Sequence, residues 1–276
     1  MKNKTELRKA FQACPLCEST KLNAVIHADT KNHSLYNDAL PSDLTWLLCT
    51  NCQHIFSQHY WTEDGLKLVF ANAHANQVAG GNPDQKRQTW KPVVQNVLNV
   101  LGGGYAALST ISPPPTWLDV GCGDGGLAMT AAEFGFNAIG LDARTQTIQA
   151  LRDSGYQGVC GDFLTVKVEG NPFIISMMDV LEHLPNPCEA LQRAHSLLHE
   201  KGVLVISLPN SDCSSWRLMG NSNPYWIEIE HYHNFSRQRL TALLNQYGFD
   251  VVHYDIPFRY KAQMELYAVK KPRDGV

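Results

Sequence analysis

Beyond residue 115 the apolar positions fall into short runs separated by stretches with helical spacing. The short apolar runs are typical of buried strands and lie at residues 116–120, 137–141, 158–160, 173–178, 203–208, 251–254 and 264–269. The stretches with a helical period lie near residues 127–134, 145–154, 188–198 and 237–247. Because strands and helices alternate, this region predicts an α/β fold with a mainly parallel sheet and helices on both faces.

The chain before residue 116 follows a different pattern. A helix is predicted from Trp90, with Pro92 in its first turn and the glycines at 102–104 at its end. The preceding segment is polar and contains a structure breaker at residues 80–83. The sequence therefore predicts three parts, which are a small N-terminal module at residues 1–60, a polar linker or lid at 61–90, and an α/β domain at 91–276.

Composition and charge narrow the classes of function. Of the 276 residues, 44% are hydrophobic and 18% are charged, which is typical of a globular protein with a substantial core. The formal net charge of -3 gives no electrostatic footprint for nucleic acid or an anionic membrane, and we interpret the basic N-terminus as a solvated tail. No apolar stretch approaches the roughly 18 residues of a membrane span, so we expect no span and a cytoplasmic location.

A glycine-rich turn follows the predicted strand at 116–120. Gly121, Gly123 and Gly126 allow the backbone to turn sharply and approach a ligand closely, although this spacing alone is shared with dinucleotide-binding enzymes. Asp142 follows Gly121 by 21 residues and ends the next strand, where a carboxylate accepts hydrogen bonds from ribose hydroxyls. The turn therefore predicts a ligand that contains a nucleoside.

Acidic residues around this turn distinguish two classes of nucleoside ligand. A pyrophosphate would face Asp119 and Asp124, and like charges at close range cost on the order of several kcal/mol at an effective dielectric constant of about 20. S-adenosyl-L-methionine instead carries a sulfonium and an ammonium group, which the same carboxylates attract. Asp162 follows the third strand, where it is placed to accept from an adenine amino group. The charge pattern favours the cationic nucleoside over NAD.

The order of these motifs resembles a known family. Residues 119–125, 139–142 and 161–163 are similar to the first three motifs of class I S-adenosylmethionine-dependent methyltransferases. Other segments are similar to the ubiquinone-biosynthesis-like branch of that family, at residues 178–187, 201–210 and 233–236. The resemblance implies a doubly wound, Rossmann-like fold with a seven-stranded, mostly parallel sheet whose last strand is antiparallel.

The same resemblance implies an enzyme and a cofactor site. The activity it implies is transfer of a methyl group from S-adenosyl-L-methionine to an acceptor. The residues expected to bind the cofactor are Asp119, Gly121, Gly123, Asp142, Asp162, Phe163 and Asp179. Within this set, the backbone at 121–123 is expected to face the methionine part, Asp142 the ribose, and Asp162 the adenine.

Two pairs of cysteines precede the α/β region. Their pattern, C-x2-C-x31-C-x2-C, predicts one structural zinc ion held by Cys14, Cys17, Cys49 and Cys52. A redox-active dithiol is the alternative, and His33 and His54 are substitute ligands, although four thiolates already complete a closed site. A zinc-binding pair ahead of such a domain resembles the architecture of bacterial methyltransferases that modify sugars and natural products.

The methyl acceptor is open at this point. An oxygen, nitrogen or carbon nucleophile of a sugar, phenol or natural product fits, while RNA methylation aided by the zinc module and a non-catalytic cofactor-binding scaffold are alternatives. A base suited to neutral pH is expected to be His183, with His231 second. The pair Glu182–His183 is alternatively a site for a divalent ion, as the family resemblance permits. The sequence leaves the oligomeric state open.

Overall fold

The computed structural model describes residues 4–71, 82–102, 104, 112–259 and 262–271. The strands are β1 (Arg8–Ala10), β2 (Leu22–Asp29), β3 (Asp43–Cys49), β4 (Ile55–Ser57), β5 (His59–Trp61), β6 (Thr116–Val120), β7 (Asn137–Asp142), β8 (Gln157–Cys160), β9 (Ile174–Met178), β10 (Val203–Pro209), β11 (His233–Asn234), β12 (Phe249–Asp255) and β13 (Gln263–Lys270). The α-helices are α1 (Glu63–Val69), α2 (Pro83–Val100), α3 (Gly126–Glu133), α4 (Thr145–Asp153), α5 (Pro187–Leu197), α6 (Ser214–Met219) and α7 (Arg237–Gln246).

Two compact units are present, and each collects separate stretches of the chain. The first unit combines Met1–Ala75 with Glu182–Cys188 and Pro209–Leu240, and the second combines Asn76–Leu181 with Glu189–Leu208 and Thr241–Val276. The predicted domain boundaries at residues 60 and 90 remain a prediction, and the interval between them contains α1 and the first turns of α2.

The second unit contains a seven-stranded sheet with the order β12-β13-β10-β9-β6-β7-β8. The pairs β10–β9, β9–β6, β6–β7 and β7–β8 are parallel, whereas β13 runs antiparallel to β12. This confirms the predicted doubly wound, mostly parallel sheet. Every residue of β9 and β10 is buried, because strands covered on both faces have no solvent-facing side, and their sequences are accordingly apolar without alternation.

Helix α2 packs into the core of the second unit and begins earlier than the sequence predicted. Val93, Val94 and Val97 are fully buried beside Trp117. The predicted start at Trp90 is wrong, because α2 begins at Pro83 and Pro92 lies inside the helix. An internal proline removes one helical hydrogen bond, and the burial of the adjacent valine stripe offsets that cost. The glycines predicted to break the chain at 80 and 81 lie outside the described residues.

The first unit contains two antiparallel sheets. A four-stranded sheet has the order β11-β4-β3-β2, and β1 pairs with β5. Trp46 and Phe56 are fully buried in the larger sheet. Strand β11 comes from far along the chain, since His233 and Asn234 pair with Phe56 and Ile55. The N-terminal cysteine segment is therefore completed by residues that follow β10.

Among the residues that the structure describes, no helix combines the length and the apolar character required to cross a membrane.

Candidate cofactor and metal sites

The glycine turn joins β6 to α3 in a conformation that glycine favours. Gly121, Gly123 and Gly125 have φ angles of 67°, 53° and 77°, in the left-handed region that other residues rarely adopt. A Cβ atom added to Gly121 would lie 2.6 Å from Cγ2 of Val180. The turn is therefore tightly packed, and position 121 has no room for a larger side chain.

Asp142 lies at the carboxyl end of β7 and holds the glycine turn. Its Oδ2 accepts from the Gly123 backbone N–H at 3.1 Å, and the Arg144 side chain donates to both carboxylate oxygens at 3.0 and 2.9 Å. Burial opposes ionisation, but the hydrogen bonds from Arg144 and Gly123 outweigh it, so the pKa of Asp142 is lowered. The carboxylate is therefore ionised at neutral pH. The Arg144 backbone N–H also donates to Oδ1 at 2.9 Å, so a ribose hydroxyl would bind this carboxylate in place of a bond from Arg144.

Asp119 is the most buried acid of the site, at 2% exposure. The indole N–H of Trp117 donates to Ser176 Oγ at 2.8 Å, and Ser176 in turn donates to Asp119 Oδ1 at 2.6 Å. Burial and the neighbouring charge of Asp142 raise the pKa of Asp119 to about 7, although the Ser176 hydrogen bond and Arg259 oppose this rise. A cationic ligand would compensate the charge of this carboxylate.

Two acids near the turn are paired with cations of the chain itself. Lys86 of α2 forms an ion pair with Asp124, and Arg144 pairs with Asp142. The electrostatic reason for excluding a pyrophosphate therefore rests mainly on Asp119. Sequence reasoning missed both cations, and Lys86 carried no signal because it lies 38 residues from Asp124.

The remaining predicted cofactor residues have distinct surroundings. Asp162 is exposed and accepts from the Leu164 backbone N–H at 2.9 Å, while Phe163 is buried beneath the guanidinium of Arg193, 5.6 Å from its ring centre. Asp179 has a φ of 57° and accepts a hydrogen bond from Gln263. Burial raises the pKa of Asp179 to about 6 against the opposing charge of Arg259. Their roles in binding remain predictions.

Arg259 is a further residue of the second unit that the sequence did not single out. It forms an ion pair with Glu265 at 2.8 Å, donates to Ser207 Oγ at 3.1 Å and stacks over Trp90 at 4.4 Å. These partners are scattered along the chain, so no local pattern could have identified them. Arg259 supplies the positive charge that acts on both Asp119 and Asp179.

The four predicted zinc ligands come together in the first unit. The sulfur atoms of Cys14 and Cys52, and those of Cys17 and Cys49, are 3.6 Å apart, and all four lie within 4.8 Å of one another. A tetrahedral zinc with sulfur at about 2.3 Å requires sulfur atoms about 3.8 Å apart, so the residues fit this ion. The eight cysteines of the chain are all free thiols.

The two cysteine pairs share the same backbone form. The N–H of Glu18 donates to Cys14 O at 2.9 Å, and the N–H of Gln53 donates to Cys49 O at 2.8 Å. Glu18 and Gln53 both have positive φ angles, of 59° and 61°. Burial raises the pKa of Cys17, but hydrogen bonds, the one from Asn51 among them, outweigh burial and lower this pKa to about 7. The two equivalent turns thus present their thiols toward a common point.

The two histidines predicted as bases lie together in the first unit. The rings of His183 and His231 have centres 4.6 Å apart at an angle of 85°, and both can offer a ligand atom together with Glu182. His183 Nδ1 is 3.1 Å from Glu230 O. Burial, and then the charge of His183, lower the pKa of His231 well below its usual value. His231 is therefore uncharged at neutral pH.

His233, unlike His183 and His231, is a structural residue of the core. Its Nε2 lies 2.8 Å from Leu184 O, and its Nδ1 lies 3.0 Å from Nε2 of the buried His54. Both ring nitrogens are thus occupied within the core of the first unit. His54 is likewise a core residue, because it is buried and paired with His233, and it lies outside the four-cysteine cluster.

An aromatic cluster lies to one side of His231. Trp216 stacks on Tyr225 with ring centres 5.6 Å apart, and Trp226 meets Trp216 edge-on at 4.7 Å. Tyr225 in turn lies 6.2 Å from the His231 ring at an angle of 25°. The long segment after β10 therefore forms a packed aromatic cluster with a histidine at its margin.

One known family and several known proteins are similar to part of this sequence. A family model described as a methyltransferase domain matches residues 96–254. The ubiquinone biosynthesis O-methyltransferase of Glaesserella parasuis is 31% identical over 134 residues, which cover 44% of this chain and 57% of the relative. The enzyme of the same name from Histophilus somni is 32% identical over 124 residues, covering 41% and 52%. The chain spans about half the length of the curated relatives it matches.

Solved structures share the fold at low sequence identity. Magnesium protoporphyrin IX methyltransferase from Synechocystis PCC 6803, with bound SAH, has a TM-score of 0.53 at 16% identity and covers 76% of this chain and 100% of that one. A chain from the complex of the Haloferax volcanii Trm112 methyltransferase activator with a methyltransferase has a TM-score of 0.56 at 12% identity, with coverages of 75% and 98%.

Proposed function

Because the chain belongs to the family of methyltransferase domains, we propose that it transfers the methyl group of S-adenosyl-L-methionine to a small-molecule acceptor. The family membership confirms the resemblance to class I S-adenosylmethionine-dependent methyltransferases. The observation that carries the proposal is the joining of the glycine turn to Asp142 through the Gly123 N–H. This arrangement places the glycine turn and an ionised carboxylate at neighbouring strand ends, as a nucleoside with an amino-acid tail requires.

The acceptor group in this proposal is a hydroxyl. The relatives are named as O-methyltransferases, and an aromatic cluster beside uncharged His231 suits a ligand with an apolar ring and a hydroxyl. Methyl transfer is an in-line displacement at the sulfonium carbon, so orientation supplies much of the rate. The hydroxyl must also lose a proton, for which we assign His183 first and His231 second. A divalent ion at Glu182 and His183 is the alternative means of orienting that oxygen.

A structural zinc ion is the second part of the proposal. The sulfur separations of 3.6 Å and the repeated turns support it. Zinc would hold two loops that are joined to β2 and β3, and thereby the four-stranded sheet of the first unit. A reducing compartment such as the cytoplasm suits a site made of four thiolates.

Transfer of label tests the proposed reaction directly. The chain is incubated with S-adenosylmethionine carrying a tritiated methyl group and a panel of sugars, phenols, hydroxylated natural products and RNA. Labelled small molecule is the expected product, and Asp142→Ala, with its weaker cofactor binding, serves as the matched control at a sub-saturating cofactor concentration. Label recovered in RNA would instead favour the RNA-modifying alternative. Tight binding of NAD without binding of S-adenosylmethionine would contradict the proposed cofactor.

Replacing Asp142 should weaken cofactor binding without unfolding the chain. Asp142→Ala removes an ionised acceptor, so we expect a loss of about 1.5–3 kcal/mol, which is roughly 10- to 150-fold in affinity. Asp142→Asn keeps one acceptor oxygen for the Gly123 N–H and should lose less. Calorimetric titration with S-adenosylmethionine measures both variants. Equal affinity of wild type and Asp142→Ala would remove the ribose role from this residue.

Cofactor affinity should depend on pH through Asp119. Because the pKa of this buried acid is about 7, it is largely protonated at pH 6 and ionised at pH 8. A cationic ligand prefers the ionised form, so affinity should rise about tenfold from pH 6 to pH 8. Titrations across this interval measure the slope. Asp119→Asn keeps an acceptor for Ser176 and should abolish the slope, whereas an unchanged slope in this variant would assign the titration to another group.

A further inference from the structure

We propose that Glu228, Glu230 and His231 form a binding site for one divalent transition-metal cation, separate from the four-cysteine cluster. Each residue offers one ligand atom, and the three atoms lie within 4.8 Å of one another. Carboxylate oxygen and imidazole nitrogen are ligands that manganese, iron and zinc accept, whereas thiolates select softer ions. The site goes beyond the proposed methyl transfer, since it concerns metal binding by the first unit. With an ion bound to His231, the proton-accepting role stays with His183, the first of the two assigned histidines.

Buried polar atoms at this place lack partners among the described residues. His231 is 8% exposed, and its Nδ1 has no hydrogen-bond partner within the part of the chain that the structure describes. The same holds for Oε2 of Glu230. Buried polar groups are normally paired, so such atoms call for an explanation such as an absent ion. One cation between the carboxylates and the imidazole would satisfy both atoms.

His33 holds Glu228 in position. The Leu35 backbone N–H donates to His33 Nδ1 at 3.3 Å, so the ring hydrogen lies on Nε2. This Nε2 then donates to Glu228 Oε2 at 2.8 Å. Ligating carboxylates in metal sites are commonly oriented by such an outer hydrogen bond. The other oxygen of Glu228 stays available to a cation.

The backbone that carries the three ligands is fixed on both sides. The indole N–H of Trp61 donates to Ile229 O at 2.6 Å, and His183 Nδ1 contacts Glu230 O at 3.1 Å. The N–H of Tyr232 donates to Glu182 O at 2.8 Å. These contacts hold the ligand segment before any ion binds, which reduces the ordering cost of binding. Three protein ligands also leave coordination positions open for oxygen donors.

His231 belongs to a second potential ligand set with Glu182 and His183. The two sets are distinguished by which carboxylates bind the ion. The set with Glu228 and Glu230 supplies two carboxylates that lie two residues apart in a partly buried segment. Two neighbouring negative charges of this kind attract a divalent cation more strongly than a single carboxylate does.

Manganese titration of the zinc-loaded full chain tests the site. Mn²⁺ is paramagnetic and prefers oxygen and nitrogen ligands, so it leaves the thiolate site undisturbed. We expect one bound Mn²⁺ per chain by electron paramagnetic resonance, with a pulsed signal from imidazole nitrogen that is lost in His231→Ala. Glu228→Gln and Glu230→Gln should each weaken binding at least tenfold, and His33→Ala by about tenfold. Zinc content and circular dichroism confirm that each variant is folded.

Glu182→Gln is the matched control and should keep Mn²⁺ binding near the wild-type value. Wild-type binding no stronger than that of the Glu228→Gln/Glu230→Gln double variant would overturn the proposal. So would loss of binding in Glu182→Gln together with retention in the double variant, which would place the ion in the other set. The experiment measures metal binding alone. Absence of Mn²⁺ binding would therefore not contradict the proposed methyl transfer, and absence of methyl transfer would not contradict the proposed metal site.

Discussion

Cys49→Ser should remove the zinc from the chain and unfold the first unit. The wild type should contain about one zinc per chain, because four sulfur atoms meet at distances that fit a tetrahedral ion. Zinc binding supplies about 10–16 kcal/mol in small zinc-folded peptides, so loss of one of four ligands removes much of the folding energy of such a module. Elemental analysis and thermal unfolding followed by circular dichroism measure the two effects.

Cys160→Ser is the control, since Cys160 lies in the second unit and outside the four-cysteine cluster. It should keep full zinc content and the wild-type unfolding curve. Zinc should also leave the wild type as the pH falls, because protons compete for the thiolates. Metal-free chain with the cysteines joined in two disulfides, purified from a reducing compartment, would contradict the zinc assignment.

His183→Ala should slow methyl transfer by roughly 10²- to 10⁴-fold while the affinity for S-adenosylmethionine stays close to that of the wild type. The expected effect follows from loss of the group that accepts the hydroxyl proton, which acts on the chemical step and not on cofactor binding. Single-turnover rates with a labelled cofactor, paired with calorimetry, separate the two quantities. The acceptor for this experiment is the one found in the label-transfer panel.

Two further histidine variants sharpen this test. His231→Ala should show a smaller loss of rate, and His27→Ala should show none, because His27 is bonded to Thr45 in the β2–β3 sheet. Full turnover in both His183→Ala and His231→Ala would mean that positioning alone drives the reaction or that the base lies elsewhere. A large loss of cofactor affinity in His183→Ala would point to a structural role instead.

Local sequence patterns were enough to predict the core of the second unit. The strands β6, β7, β9 and β10 appear within one residue of their predicted bounds. Parallel strands covered on both faces are mostly apolar, so their composition identifies them without reference to the rest of the chain. The glycine turn was equally accessible, because positive φ angles over three alternate positions require glycine.

The cysteine cluster was also predictable from the sequence. Each pair is a closed local turn, so the spacing within a pair already fixes the separation of its two thiols. The meeting of the two pairs follows from the antiparallel pairing of β2 and β3, in which Leu22 lies opposite Cys49. The sequence alone therefore predicted which four sulfur atoms come together.

Only the tertiary structure decided how the charges and histidines are arranged. The partners of Asp124 and Asp119 come from elements far along the chain, in Lys86 and Ser176. Likewise, His33 contacts Glu228, which lies 195 residues further along the chain. Strand β11 pairs with β4 although the parallel strands β6 to β10 lie between them in the sequence. Such contacts depend on long-range packing, which leaves no periodic trace in the sequence. Local periodicity thus determined the strands, the glycine turn and the thiol pairs, whereas side-chain charge and protonation were decided by residues that only folding brings together.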